Sequence, residues 1–282
     1  MNVTAEHQYY PDYIAQTRHK KIKYKLVASI VTYNSLVDEV ESAAKSFLNC
    51  SLPVHLIIVD NNSEEGYLDQ LKRRVGAFFI QSGVNKGFGF GHNIGMRNAP
   101  ECEYYLVLNP DIEIHEGTLE KLVSYMDEHP EIGLITPKVL NEDGSIQHLN
   151  KRLPTVFDLF ARRFLPAFIK NISFIKRRMD HYIMLDRGYD NTLEVPYITG
   201  CFMLFRKVVL DKIGGFDENF FMYLEEADST LRINRIGFKS IYYPHASVTH
   251  KWARGSHNSF KLTWITIKSA IYFFKKWGWK WI

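Results

Sequence analysis

Apolar residues recur along this chain in two alternating patterns. The first is an unbroken apolar run. "KLVASIVTYN" (25–34) is rich in β-branched residues, the pattern of a strand buried on both faces, "VHLIIVDNNS" (54–63) reads as another buried strand, and "AFFIQ" (77–81) and "YYLVLNPD" (104–111) read as further strands. The second has helical spacing: Leu36, Val40, Ala43 or Ala44, and Phe47 outline one face of a helix over 36–49. Further helices are expected near 67–75, from the end of a glycine-rich loop to about Ala99, and over 117–128. Alternating strands and helices predict an α/β fold with a doubly wound, mostly parallel sheet flanked by helices.

Beyond residue 115 the pattern loosens. "IGLITPKVL" runs into a turn at "NEDGS", and residues 151–193 read as basic and irregular. "VPYITGCFMLFR" (195–206) is strand-like, "EEADSTLRINRIG" reads as a helix stopped at Gly237, and "KSIYYPHASVTH" (239–250) as a final strand. No internal repeat is visible. The expected organisation is an extension over 1–24, one mixed-sheet domain over 25–256 and a basic amphipathic helical tail over 257–282.

Composition narrows the partners. A net charge of +4 over 282 residues is too mild to argue for nucleic acid, and none is expected. The three cysteines, Cys50, Cys102 and Cys201, lie far apart in no metal spacing and read as buried thiols of a reducing compartment. No stretch approaches the ~20 apolar residues of a membrane span, and the polar N-terminal segment lacks the apolar centre of a secretory signal. A cytoplasmic location follows as the expectation, with peripheral contact on the cytoplasmic face of the inner membrane open. Two segments raise that contact. Trp264, Ile267, Ile271 and Phe274 recur at helical spacing among Lys268, Lys275, Lys276 and Lys280, with no acid from Lys261 onward. Phe157, Phe160, Phe164 and Phe168 recur within 157–178 among six basic residues. Each reads either as an interfacial helix or as a core helix with solvated lysines.

Candidate chemistry gathers at the strand ends. Thr32-Tyr33-Asn34, Asp60-Asn61-Asn62-Ser63 and Asn109-Pro110-Asp111 each close an early strand. In a parallel sheet such ends share one edge, where open α/β sheets bind ligands. Singly, each cluster reads equally as a turn, and Asp60 as a helix N-cap. "NKGFGFGHNIG" (85–95) permits close approach of backbone to a ligand, with Asn85, Lys86 and Asn93 supplying polar groups; it lacks the lysine and hydroxyl of a P-loop. Asp111 together with the distant His250 forms a donor pair for a divalent cation, Mn2+ or Mg2+, the imidazole favouring Mn2+. Glu225, Glu226 and Asp228 open a helix behind the apolar shoulder 220–224. The helix dipole accounts for acids there, and a carboxylate against apolar walls also suits a general base.

Taken jointly, "VASIVTYN", "LIIVDNNS", "NKGFGFGHNIG", "YYLVLNPDIEI", "ITGCFMLFRKVVLDKIGGFDENFFMYLEEADSTLRINRIG" and "HASVTHKWARGS" resemble the inverting family-2 glycosyltransferases of GT-A fold, especially a bacterial rhamnosyltransferase-like branch. The resemblance implies a nucleotide-binding half over 25–115 and an acceptor-binding half over 116–256. It implies a nucleotide-sugar held by Thr32, Tyr33, Asn34, Asp60, Asn62, Asn85, Lys86, Gly87, Phe88, Asn93, Asn109 and Asp111. Asp111 stands for the retained acid of the family's Asp-x-Asp metal motif, with Asn109 at the first position, and His250 for the later metal ligand. Glu226 stands where the family has the Asp of a Glu-Asp pair, so the base is Glu226 or Glu225. The implied reaction moves a sugar, L-rhamnose from dTDP-L-rhamnose in that branch, to a glycan acceptor that is undecaprenyl-diphosphate-linked in surface-polysaccharide synthesis. Other UDP- or dTDP-sugars, a non-catalytic glycan-assembly subunit and a sugar nucleotidyltransferase are the alternatives. The last usually carries a glycine-rich basic loop where this chain has "TYNSLVDE".

Overall fold

A computed structural model describes residues 23–251 and 260–282. Most of the expected N-terminal extension, and 252–256 of the last quoted motif, lie outside the described residues. The first half alternates as the sequence predicts: β1 (Tyr24–Thr32), α1 (Val37–Leu48), β2 (Val54–Asp60), α2 (Tyr67–Lys72), β3 (Phe78–Gln81), α3 (Phe88–Arg97) and β4 (Cys102–Leu108). β1 pairs in parallel with both β2 and β4, and β2 with β3. Alternate residues of β1 enter different cores. Leu26, Ala28 and Ile30 pack with Val40, Phe47 and Leu56, while Val27 packs with Ile57, Tyr105 and Phe205. Burial on both faces is why β1, β2 and β4 carry no polar alternation, whereas β3 lies at the sheet edge with Phe78 exposed.

The second half completes the sheet and covers it. Its elements are β5 (Ile112–Ile114), α4 (Thr118–Glu128), β6 (Ile132–Leu140), α5 (Val156–Phe164), α6 (Ala167–Lys170), α7 (Ser173–Tyr182), β7 (Leu193–Glu194), β8 (Phe202–Arg206), α8 (Lys207–Ile213), α9 (Glu225–Arg235), β9 (Lys239–His250) and α10 (Phe260–Trp277). Among the described residues, nine strands form one mixed sheet in the order β3-β2-β1-β4-β8-β6-β9-β5, with β7 on β9. β8 runs antiparallel to β4 and β6.

Four expectations change. Residues 151–193 hold three helices, α5 being capped by a reciprocal Thr155–Asp158 box. Their large apolar residues Phe160, Phe164, Phe168, Ile172 and Phe174 are exposed, so no core-facing stripe marks them in the sequence. Only Phe202–Arg206 of the strand expected over 195–206 is extended in the sheet. The glycine-rich segment is helical from Phe88 onward, where a loop was expected. Last, α10 buries Ser269, Phe273 and Phe274, whereas Trp264 and Ile271 of the expected stripe are exposed. The rotation follows its partners. Phe273 and Phe274 join Tyr197, Phe220 and Leu224, and Tyr272 and Lys276 reach Asp217.

Glycines in α3 serve its approach to β1. A Cβ on Gly91 would lie 2.6 Å from Cγ1 of Val31. The approach lets Oγ of Ser29 meet Nδ1 of His92 at 2.7 Å. Burial pushes the His92 imidazole down to about 3, so it packs neutral. Gly91→Ala should destabilise the fold by about 1–2 kcal/mol, overpacking outweighing the helix-propensity gain. A lowered midpoint in urea unfolding with an unchanged slope is the expected result.

Candidate active site

The first strand ends knit into one rim. Thr32 and Asp60 stand opposite each other in the β1–β2 register. Asp60 is buried and accepts from Oγ of Ser63 at 2.5 Å, from the Ser63 amide at 3.2 Å and from Oγ1 of Thr32 at 3.4 Å. It therefore closes the turn after β2; the N-cap of α2 is Gly66. Oδ1 of Asn34 accepts from the Glu64 amide, and the Asn34 amide donates to Ser63. Asn34 and Asn62 both adopt left-handed backbone, φ 52° and 66°. Tyr33, Asn34 and Asn62 are exposed along this rim.

The glycine-rich segment is pinned to the chain that precedes α9. Oδ1 of Asn85 accepts from the Gly87 amide. Gly87 has φ 103°, and its carbonyl accepts from Nδ2 of Asn61 at 2.9 Å. A Cβ on Gly87 would lie 1.8 Å from the Phe221 carbonyl, which accepts from the Phe88 amide at 2.9 Å. Asn93 is committed internally: it donates to the Phe216 carbonyl and to Glu218, and accepts from the Phe216 amide. Lys86 is exposed, with its ammonium 5.3 Å from the Phe90 ring. Asn61 belongs to the strand-end cluster, but only the fold reveals its hold on Gly87.

Asn109-Pro110-Asp111 is a turn that also presents a carboxylate. The Asn109 amide donates to the Cys201 carbonyl at 2.9 Å. Ile112 pairs with His250 across β5 and β9, bringing Oδ2 of Asp111 within 3.3 Å of Nε2 of His250. The tautomer follows from Gln147, whose Nε2 donates to the His250 carbonyl at 2.9 Å, which turns its Oε1 to Nδ1 of His250 at 2.9 Å. An acceptor there requires the proton on Nδ1. In the neutral ring Nε2 then presents a lone pair to the Asp111 carboxylate, whose Oδ1 is buried without a partner; in the protonated ring the two form an ion pair. A carboxylate oxygen and a neutral imidazole nitrogen at this separation fit a divalent cation. Among the described residues no third His, Cys, Asp or Glu joins them.

The acid pair sits on a strained entry to α9. Tyr223 and Leu224 both have positive φ, 73° and 70°, a costly conformation for bulky residues that collects at functional sites. This bend places Glu225 and Glu226 in the first helical turn. Oε1 of Glu226 accepts from the Tyr197 hydroxyl at 2.9 Å. Oε2 of each glutamate is buried without a partner. Gly200 packs against Phe88 and the Cβ of Glu226, while its neighbour Cys201 holds Asn109. Both halves of the site therefore meet at residues 200–201.

Comparison with known proteins decides the family, since the description "Glycosyl transferase family 2" matches residues 28–214. The chain belongs to glycosyl transferase family 2. An N-acetylglucosaminyl-diphospho-decaprenol L-rhamnosyltransferase of Mycobacterium tuberculosis (strain ATCC 25618 / H37Rv) is 25% identical over 216 residues, 72% of this chain and 68% of that protein. Rhamnosyltransferase WbbL of Escherichia coli (strain K12) is 28% identical over 224 residues, 76% and 78% respectively. The fold is that of GT-A enzymes. The crystal structure of GalNAc-T7 with UDP, GalNAc and Mn2+ superposes with TM-score 0.64 at 16% identity, over 92% of this chain and 49% of that one. The mannosyltransferase PcManGT from Pyrobaculum calidifontis, in complex with GDP-Man and Mn2+, gives 0.56 at 13% identity, over 89% and 66%. The family match covers the strand-end clusters; Glu225, Glu226 and His250 lie beyond it.

Two residues of this family 2 protein escape the sequence reading. Tyr197 is buried in the irregular stretch after β7, and burial, then Glu226, holds its hydroxyl well above the usual phenol range. It keeps its proton and donates a hydrogen bond to Glu226. Lys151 is also buried, its ammonium 4.7 Å from the Tyr197 ring. Burial, then Arg162, pushes Lys151 down to about 7, while Glu226 and Cys201 pull upward. Neither position shows a spacing signal, because Lys151 and Tyr197 meet through a single isolated bridge.

Burial, then the Glu226 charge, raises the Glu225 carboxyl well above its ordinary value. The folded state thus retains a proton that the unfolded chain releases near pH 4.5, so this group's contribution to stability falls as pH rises above that point. Glu225→Gln should therefore raise the melting temperature relative to wild type at neutral pH. The gap should close below pH about 4, where both chains hold the proton. Thermal scans across pH test this; a pH-independent gap contradicts it.

Proposed function

We propose that this chain is a metal-dependent, inverting glycosyltransferase that moves L-rhamnose from dTDP-L-rhamnose to a polyprenyl-diphosphate-linked glycan at the cytoplasmic face of a membrane. The observation carrying the reaction class is the Tyr197–Glu226 hydrogen bond, which leaves Oε2 of Glu226 buried without a partner, linked through Gly200 and Cys201 to the turn that presents Asp111. Names of two relatives support rhamnose, and one of them is named for a decaprenol-diphosphate acceptor. Among the described residues no helix is long and apolar enough to cross a membrane.

Glu226 is the general base in this reading. Tyr197 fixes one carboxylate oxygen, and the other faces the acceptor hydroxyl and takes its proton. Glu225, holding a proton of its own, spares Glu226 a second adjacent charge. The acceptor oxygen bonds to the anomeric carbon as the bond from that carbon to the diphosphate breaks, and configuration inverts. Thr32, Tyr33, Asn34, Asp60 and Asn62 line the nucleoside end, with the Asn85–Asn93 segment and Asn109 along the sugar and diphosphate. A divalent cation held by Asp111 and His250 would offset the charge of the departing diphosphate.

Turnover of dTDP-rhamnose, UDP-GlcNAc, UDP-galactose and GDP-mannose with Mn2+ or Mg2+ and a polyprenyl-linked acceptor tests the proposal. One donor should turn over. Glu226→Gln should lower kcat by about 10²–10⁴-fold, the usual share of a positioned base. Asp111→Ala and His250→Ala should each weaken Mn2+ binding in a paramagnetic-resonance titration. No turnover of any donor by the folded protein would instead mark a non-catalytic subunit on this scaffold.

A further inference from the structure

Soluble proteins scatter exposed apolar residues singly. Here they gather. The helices α5, α6 and α7 expose Phe160, Phe164, Phe168 and Phe174, the last two 74% and 68% accessible. The C-terminal segment exposes Trp264, Trp279 and Trp281. These stretches lie a hundred residues apart in sequence and are joined in space. The Val156 amide donates to the Lys280 carbonyl at 2.8 Å, the Phe157 amide to the Trp281 carbonyl at 3.2 Å, and the Arg163 guanidinium to the Thr263 hydroxyl. The aromatic residues thus belong to one composite face.

Its charge is predominantly basic. Arg162, Arg177, Lys261, Lys268 and Lys275 are exposed among the aromatics. The acids of α5–α7 are Asp158, which is buried and bonded to Arg178 and Thr155, and Asp180, which is paired with Lys176; 260–282 contains none. Trp and Phe interleaved with Lys and Arg match the headgroup boundary of an anionic bilayer. The inner side of α10 is already occupied, since Phe273 and Phe274 pack on Tyr197 and Leu224. Its outer side is what remains available.

We infer that the composite face of α5–α7 and the C-terminal segment docks this protein onto an anionic lipid membrane. The aromatic rings enter the boundary between headgroups and acyl chains, and the basic side chains lie against lipid phosphates. Tyr197, which belongs to the cluster under this face, hydrogen-bonds Glu226. The inference stands on this surface and is independent of the donor and acceptor proposed above.

The full chain is sedimented with vesicles of phosphatidylcholine, with or without about a third phosphatidylglycerol. Wild type should co-sediment with the anionic vesicles and be released by high salt. Phe164→Glu/Phe168→Glu, and separately Trp264→Glu, should weaken vesicle partitioning at least about tenfold while leaving the melting temperature unchanged. Donor hydrolysis in the absence of vesicles should be unaltered in these variants, because none touches the site. Wild type remaining in the supernatant with anionic vesicles overturns the inference, as does undiminished binding by both variants. A dimer in sedimentation velocity that the same variants dissociate, without vesicle binding, assigns the face to a second copy instead.

Discussion

The Phe221 carbonyl occupies the space that a side chain at residue 87 would need. That approach lets the Phe88 amide bond to the carbonyl and so starts α3 against the segment leading to α9. Other contacts repeat the same closeness. Asn61 holds the Gly87 carbonyl, Asn93 holds Phe216 in both directions, and Gly200 admits the Phe88 ring beside Glu226. The glycine-rich segment and the acid pair come from distant parts of the chain. They share one geometry because a backbone without side chains lies between them.

The site gathers polar atoms that the protein itself leaves unpaired. Oδ1 of Asp111 and Oε2 of Glu225 and Glu226 are buried without hydrogen bonds, and Lys151 is buried beside them. Unpaired buried polar atoms cost stability. Of the nine such side-chain atoms among the described residues, these three lie at the candidate site, together with two consecutive left-handed residues before Glu225, a conformation that collects at functional sites.

Much of the fold was legible because burial on both faces writes itself as unbroken apolar runs. β9 begins and ends where its pattern does, and the expected strand ends Thr32 and Asp60 stand in register. Legibility failed where side chains serve something other than the core. α5–α7 point their phenylalanines outward, so the stretch looked irregular. The glycines of α3 look like a loop, since close packing of a helix on a strand has the same composition as a hinge. The rotation of α10 was hidden because its inner face is chosen by Asp217, Asp228 and Tyr197. At the site, the residue types at strand ends and the helix entry were readable. Lys151 and Tyr197 were not, because one bridge in irregular chain joins them.

The buried carboxylate of Asp228, two residues after Glu226, bonds to Arg232 of its own helix and to Trp277 and Lys276 of α10. This gives biosynthesis an order. A chain emerging from the ribosome can assemble the parallel strands early, because their partners are close in sequence. The helix bearing the acid pair stays incomplete until residues 276 and 277 have been made. A product shortened before them would retain the parallel strands yet leave a buried charge short of two of its partners. Quality control would then meet a nascent protein whose last turn of helix decides whether its chemistry is ever assembled.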